Sequence, residues 1–119
     1  MAAHNELGKW GEELATDYLL DNGYEIIERD WKSGRIDLDI IAREGSTLVI
    51  VEVKTRRNRL YGDPEEAVDY RKRQSLQQAI NHYVKSHRTG RKVRFDIISI
   101  VGTIGSEPEI DHIKDVALF

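Results

Sequence analysis

The chain has 119 residues, 39% of them hydrophobic and 33% charged, with a net charge of −3 and no cysteine. That composition fits one soluble globular domain over residues 1–119, and it excludes disulfides, cysteine nucleophiles and thiolate metal sites. No apolar run reaches the length of a membrane span and no charged-then-apolar leader precedes the first helix, so a cytoplasmic protein without a membrane partner is expected. Asn5 is placed to cap a helix from about Glu6 to Asp21, which Asn22-Gly23 would stop. Along that helix Leu7, Trp10, Leu14 and Tyr18 form one apolar line. Gly8, Glu12, Ala15 and Leu19 form a neighbouring line whose small residues allow close packing, which turns Glu12 toward the sheet side. Tyr24 to Glu28 reads as a short strand, and Arg29 to Arg35 as a polar connection containing Trp31 and Gly34.

Residues 36–43 and 48–55 are runs rich in β-branched side chains on either side of Glu44-Gly45-Ser46-Thr47, a hairpin loop. Asp63-Pro64-Glu65-Glu66 supplies a capping Asp, a first-turn Pro and first-turn acids. The helix begun there is expected to run to about Ser86, burying Leu76, Ala79, Ile80, Tyr83 and Val84. Val93 to Val101 is a strand, Gly102 to Pro108 a turn-rich loop, and Ile110 to Ile113 a short final strand. The order α-β-β-β-α-β, with that possible last strand, predicts an α/β fold: a mixed β-sheet flanked by helices.

The hairpin carries the chemistry. If Arg43 faces Leu48, then Asp39 faces Glu52, and side-chain alternation puts Asp37, Asp39, Glu52 and Lys54 on one face. The other face carries Leu38, Ile40, Ala42, Val49, Val51 and Val53, while Ile41, Leu48 and Ile50 make the far end of the charged face apolar and ready for a helix. Opposed acids repel unless something positive lies between them. A divalent metal does this: Asp39, Glu52 and the Val53 carbonyl offer hard oxygen donors, and Glu12 can join from the first helix. Lys54 is placed to orient a water or to stabilise developing phosphoryl charge. A solvated, salt-bridged hairpin face is the plainer explanation of the same residues. The four histidines show no ligand spacing, and no phosphate-binding glycine loop is present.

The net charge hides an asymmetry. Residues 54–94 carry a local balance of +8 and the remainder −11, which suggests a basic surface for an anionic partner. Arg56, Arg57 and Arg59 follow directly on Lys54. Arg71, Lys72 and Arg73 lie on the second helix, Lys72 between Val68 and Leu76, and Arg88, Arg91, Lys92 and Arg94 come after it. Trp31 and Tyr61 are aromatic residues for stacking on bases or for packing in the core.

Gly8-Lys9-Trp10-Gly11-Glu12-Glu13-Leu14-Ala15, the Asp-Leu-Asp-Ile-Ile-Ala run, Val51-Glu52-Val53-Lys54-Thr55-Arg56 and Arg94-Phe95-Asp96 together resemble the YraN-type uncharacterised bacterial family over nearly the whole chain. That family is similar to Holliday junction resolvases, and the resemblance implies a restriction-endonuclease-like core. It also implies a metal site of Glu12, Asp39 and Glu52 with Lys54, loaded with Mg²⁺ or Mn²⁺, and a homodimer. The family usually shows Gly-Glu-(Ile/Leu)-Asp where this chain has Gly34-Arg35-Ile36-Asp37-Leu38-Asp39. Alignment on the glycine selects Asp37, whereas counting back from Glu52 selects Asp39; the pairing argument favours Asp39, with Asp37 as an auxiliary ligand.

The expected function is a metal-dependent, endonuclease-like hydrolysis of DNA, branched or single-stranded, with Arg56, Arg57 and Lys72 on the backbone phosphates. The alternatives are a non-catalytic nucleic-acid-binding module that retains the nuclease fold, and a protein-interaction scaffold.

Overall fold

A computed structural model of the chain describes residues 2–60, 68–87 and 92–118, with side chains from residue 6 onward. Its elements are α1 (Ala2–Asp21), β1 (Glu25–Ser33), β2 (Ile36–Glu44), β3 (Thr47–Arg56), α2 (Tyr70–Ser86), β4 (Val93–Val101) and β5 (Glu109–Ile113). The strands form one mixed sheet in the order β1-β2-β3-β4-β5, parallel between β3 and β4 and antiparallel elsewhere. This is the α/β architecture expected of a restriction-endonuclease-like core, with β5 added at the edge.

Each face of the sheet is covered by one helix, as two apolar faces require. Ala15 and Leu19 of α1 pack with Ile40, Ala42, Val49, Val51, Ile98 and Ile100. Leu76, Ala79, Ile80 and Tyr83 of α2 pack on Ile41, Leu48, Ile50, Phe95 and Ile97. The predicted buried stripe of α2 is therefore the observed one, with Val84 at its margin. Alternate residues of β3, and of β2 from Ile40 onward, separate onto opposite faces, and Val49 and Val51 are inaccessible to solvent.

Four elements differ from their sequence expectation. Helix α1 begins at Ala2, so Asn5 lies within it and is not its cap; Ala2 and Ala3 are strong helix formers that extend the first turn backward. Strand β1 continues through the stretch expected as a connection, because antiparallel pairing with β2 satisfies its backbone as far as Ser33↔Ile36. The hairpin loop shortens to Gly45-Ser46, with Glu44 paired to Thr47 and Gly45 at φ 60, the left-handed value that primed two-residue turns demand. Helix α2 starts at Tyr70, capped by Asp69, whose side chain accepts the Lys72 N–H at 2.9 Å. The proposed Asp63-Pro64-Glu65-Glu66 start lies outside the described residues, and Val68 and Asp69 are not helical.

Candidate functional site

The hairpin register is the expected one. Glu44↔Thr47 through Ile40↔Val51 pair in sequence, which sets Asp39 opposite Glu52. Pairing stops there. Continued regularly, the ladder would set Val53 against Leu38; instead the Val53 N–H donates to Asp39 Oδ2 at 2.9 Å. The alternation of β2 breaks at the same residue. Leu38 packs with the α2-side cluster, whereas Ile40, two positions on, packs with the α1 side. This corrects the expectation of one uniform apolar face and of four charged residues in a row on the other. The physical reason is local: Asp30 on β1, opposite Asp39, has φ 53, and the flanking pairs Arg29↔Ile40 and Trp31↔Leu38 close around the two aspartates without pairing them.

Helix α1 brings Glu12 to this break. The preceding residue, Gly11, lies so close to β3 that an added Cβ would stand 1.9 Å from Thr55 Oγ1. Only glycine permits that approach. Carboxylate oxygens of Glu12, Asp30 and Asp39 then lie within 4.8 Å of one another. Glu52, 8% exposed, belongs by alternation to the α2 side of the sheet, where Lys72 Nζ reaches its Oε2 at 3.5 Å. The charge of Glu52 also acts on Asp39 across the two strands. Asp39 is thus the hinge of the cluster, with Glu12 and Asp30 to one side and Glu52 to the other.

The electrostatics follow from burial. Loss of solvent, reinforced by the charges of Glu52 and Glu12, pushes the Asp39 carboxyl up to about 8 against the opposing pull of the Val53 N–H. Burial, then the neighbouring Asp30, raises Glu12 to about 7, with Arg29 opposing. Arg29 stands 3.9 Å from Glu12 and 2.9 Å from Glu13. Lys54, half-buried and two residues beyond Glu52, makes no ion pair or hydrogen bond among the described residues. Asp37 is paired at the surface with Lys32 at 3.0 Å, so Asp39 is the carboxylate that meets Glu52.

The basic set divides. Arg57 is exposed beside the end of β3, and Arg56 follows Lys54 on the strand. Arg59 is bound to Glu109 and Asp111 at 3.2 and 3.0 Å. Arg73 holds the carbonyls of Val68 and Ala117, and Arg94 is enclosed by Asp96, Glu44 and Tyr24. These last three arginines are engaged by groups of the chain itself, Arg59 at the surface and Arg94 half-buried. Trp31 packs edge-on against His82 and Tyr83, so it is a core contact. Arg88, Arg91 and Tyr61 lie outside the described residues.

A family model described as uncharacterised protein family UPF0102 matches residues 11–100. The chain belongs to that family. A UPF0102 protein of Bacteroides thetaiotaomicron is 50% identical over 115 residues, covering 97% of this chain and 94% of its own. One from Christiangramia forsetii is 44% identical over 119 residues, covering 100% and 99%. A third, from Rhodococcus opacus, is 45% identical over 115 residues, covering 95% and 98%. The UPF0102 match begins at Gly11, the residue that seats α1 on β3, and takes in Glu12, Asp39, Glu52 and Lys54.

Asp30 was not anticipated. The stretch around it reads as a polar connection, and the only signal is its residue type: Asp tolerates the left-handed conformation better than most side chains.

Proposed function

We propose that this UPF0102 protein is a divalent-metal-dependent nuclease acting on DNA, branched and single-stranded forms included, by phosphodiester hydrolysis. The observation that carries this reading is Asp39: a largely desolvated carboxylate between Glu12 and Glu52, with no cationic partner among the described residues. Hard oxygen donors from three elements, crowded enough to hold protons near neutrality, suit Mg²⁺ or Mn²⁺. Glu12, Asp39 and Glu52 would hold the ion. When bound, it would stabilise phosphoryl charge and acidify a water.

The protein's own groups supply the rest. The Val53 N–H fixes the orientation of Asp39. Lys54, without an ion-pair partner among the described residues, orients the attacking water or meets a phosphoryl oxygen. Arg56 and Arg57 continue from Lys54 along the chain, where a backbone phosphate one nucleotide away would lie. Lys72 neutralises Glu52 in the metal-free protein and, once displaced from it, faces the same phosphate path.

The test begins with Mg²⁺ and Mn²⁺ titration followed by NMR, in which Asp39, Glu52 and Lys54 should shift at millimolar metal. Cleavage of junction, flap, single-stranded and duplex DNA is then compared in wild type, Asp39→Ala and Lys54→Ala. Activity should fall at least a hundredfold in both variants; survival in both overturns the mechanism. The Lys72–Glu52 ion pair favours a second reading, a DNA-binding module without hydrolysis, since an internal cation lets the fold stand without metal. That reading predicts DNA binding unchanged in Asp39→Ala and no cleavage by the wild type.

A further inference from the structure

Asp30 occupies a position that strand geometry alone does not explain. Strand β1 pairs with β2 immediately on either side of it, at Arg29↔Ile40 and Trp31↔Leu38, yet Asp30 itself leaves the extended region, at φ 53. Its carboxylate joins those of Glu12 and Asp39 within a 4.8 Å set. Arg29, the cation next to it, is occupied by Glu12 and Glu13. No described Lys, Arg or His lies within ion-pair distance of Asp30. Asp30 is exposed, and Glu12 and Asp39 are both half-buried, so the three carboxylates line the solvent-facing rim of the break in the sheet.

Resting on the metal reading above, we propose that Asp30 is a direct carboxylate ligand of the divalent cation, supplied by the edge strand at the solvent side of Glu12 and Asp39. Beside Glu12, Asp39 and Glu52 it would be a fourth oxygen donor, entering from the α1 side of the sheet. It also raises the negative charge facing a hard cation, which favours Mg²⁺ or Mn²⁺ over softer metals.

The test is Mn²⁺ binding by the full chain, read as free Mn²⁺ by electron paramagnetic resonance, with no dependence on activity. Asn and Gly both accept a positive φ, so Asp30→Asn and Asp30→Gly remove the charge and keep the backbone. Both should weaken Mn²⁺ binding roughly tenfold or more, with far-UV circular dichroism and metal-free melting unchanged. Asp17→Asn, an equal charge loss at an exposed position of α1, should bind as wild type does. Wild-type affinity in Asp30→Asn and Asp30→Gly, with Mn²⁺ bound normally by the wild type, overturns the role of Asp30 alone. Absence of Mn²⁺ binding by the wild type overturns the metal reading and this inference together.

Discussion

Asp39 and Asp96 are both aspartates inside one sheet, and their surroundings drive them in opposite directions. Burial disfavours the charge of Asp96, but His112, Arg94 and the Asp115 N–H all donate to it and hold its carboxyl down at about 2. Its stabilising effect is present above the ordinary value of 3.8 and lost as pH falls through about 2. Asp39, raised to about 8, does the reverse. Between 3.8 and about 8 the folded chain keeps a proton that the unfolded chain has released, so stability falls as pH rises across that window. Asp39→Asn should therefore melt higher than wild type at pH 8, by roughly 4 °C or more, the shift that about 1 kcal/mol produces in a domain of this size. The two should melt together near pH 4. The Asn carbonyl can still accept the Val53 N–H, so only the charge is removed. Thermal melts at both pH values check this; a lower melting temperature at pH 8 would contradict the desolvation argument. At this scale strand spacing was enough to set Asp39 opposite Glu52, and helix periodicity to turn Glu12 toward the sheet. Neither could identify Asp30, whose position depends on a single backbone dihedral that no periodicity encodes.

Among elements, the contact between α1 and β3 governs the site more than either element alone. Gly11 meets Thr55 with no room for a side chain, and one residue later Glu12 reaches Asp39. Gly11→Ala would normally favour a helix. Here the added methyl must force α1 away from β3, and the cost of such overpacking is about 1–3 kcal/mol. The variant should melt several degrees lower, and its Mn²⁺ binding should weaken although no carboxylate has changed. Calorimetry with a parallel metal titration checks both effects. Strand β4, the stripe of α2 and the register of the β2–β3 hairpin were legible because each rests on apolar periodicity over many residues. The extent of β1 was not. Its residues Arg29, Asp30, Lys32 and Ser33 are polar, and only the neighbouring strand makes them a strand. The true start of α2 was hidden by a stronger capping signal at Asp63, upstream of Asp69.

For the molecule as a whole, the local balance of +8 over residues 54–94 overstates the surface offered to an anion. Arg59, Arg73 and Arg94 are engaged within the fold. Arg57, Arg71 and Lys92 are exposed, and Lys72 is partly so. If DNA is the partner, affinity should fall linearly on a log–log plot against salt, with a slope of roughly 0.9 per phosphate neutralised. Arg57→Ala should reduce that slope by about one. Arg94→Ala should leave the slope unchanged and lower thermal stability instead, because it strands Asp96. Fluorescence anisotropy across a salt series distinguishes the two; equal slope changes would mean that the division of the arginines is wrong.

The single parallel junction, β3 against β4, has a consequence for synthesis. Strands β1, β2 and β3 are joined by short turns and can associate as soon as they emerge. Leu48, in contrast, waits for Val93 as its partner. Until then β3 is an open edge of the kind that recruits strands from other chains. Glu52 and Lys54 sit on that waiting edge, amid Leu48, Val49, Ile50, Val51 and Val53. Charges pointing from an otherwise apolar strand are a known deterrent to edge pairing. Glu52 and Lys54 thus interrupt the apolar edge of β3 for as long as β4 is absent.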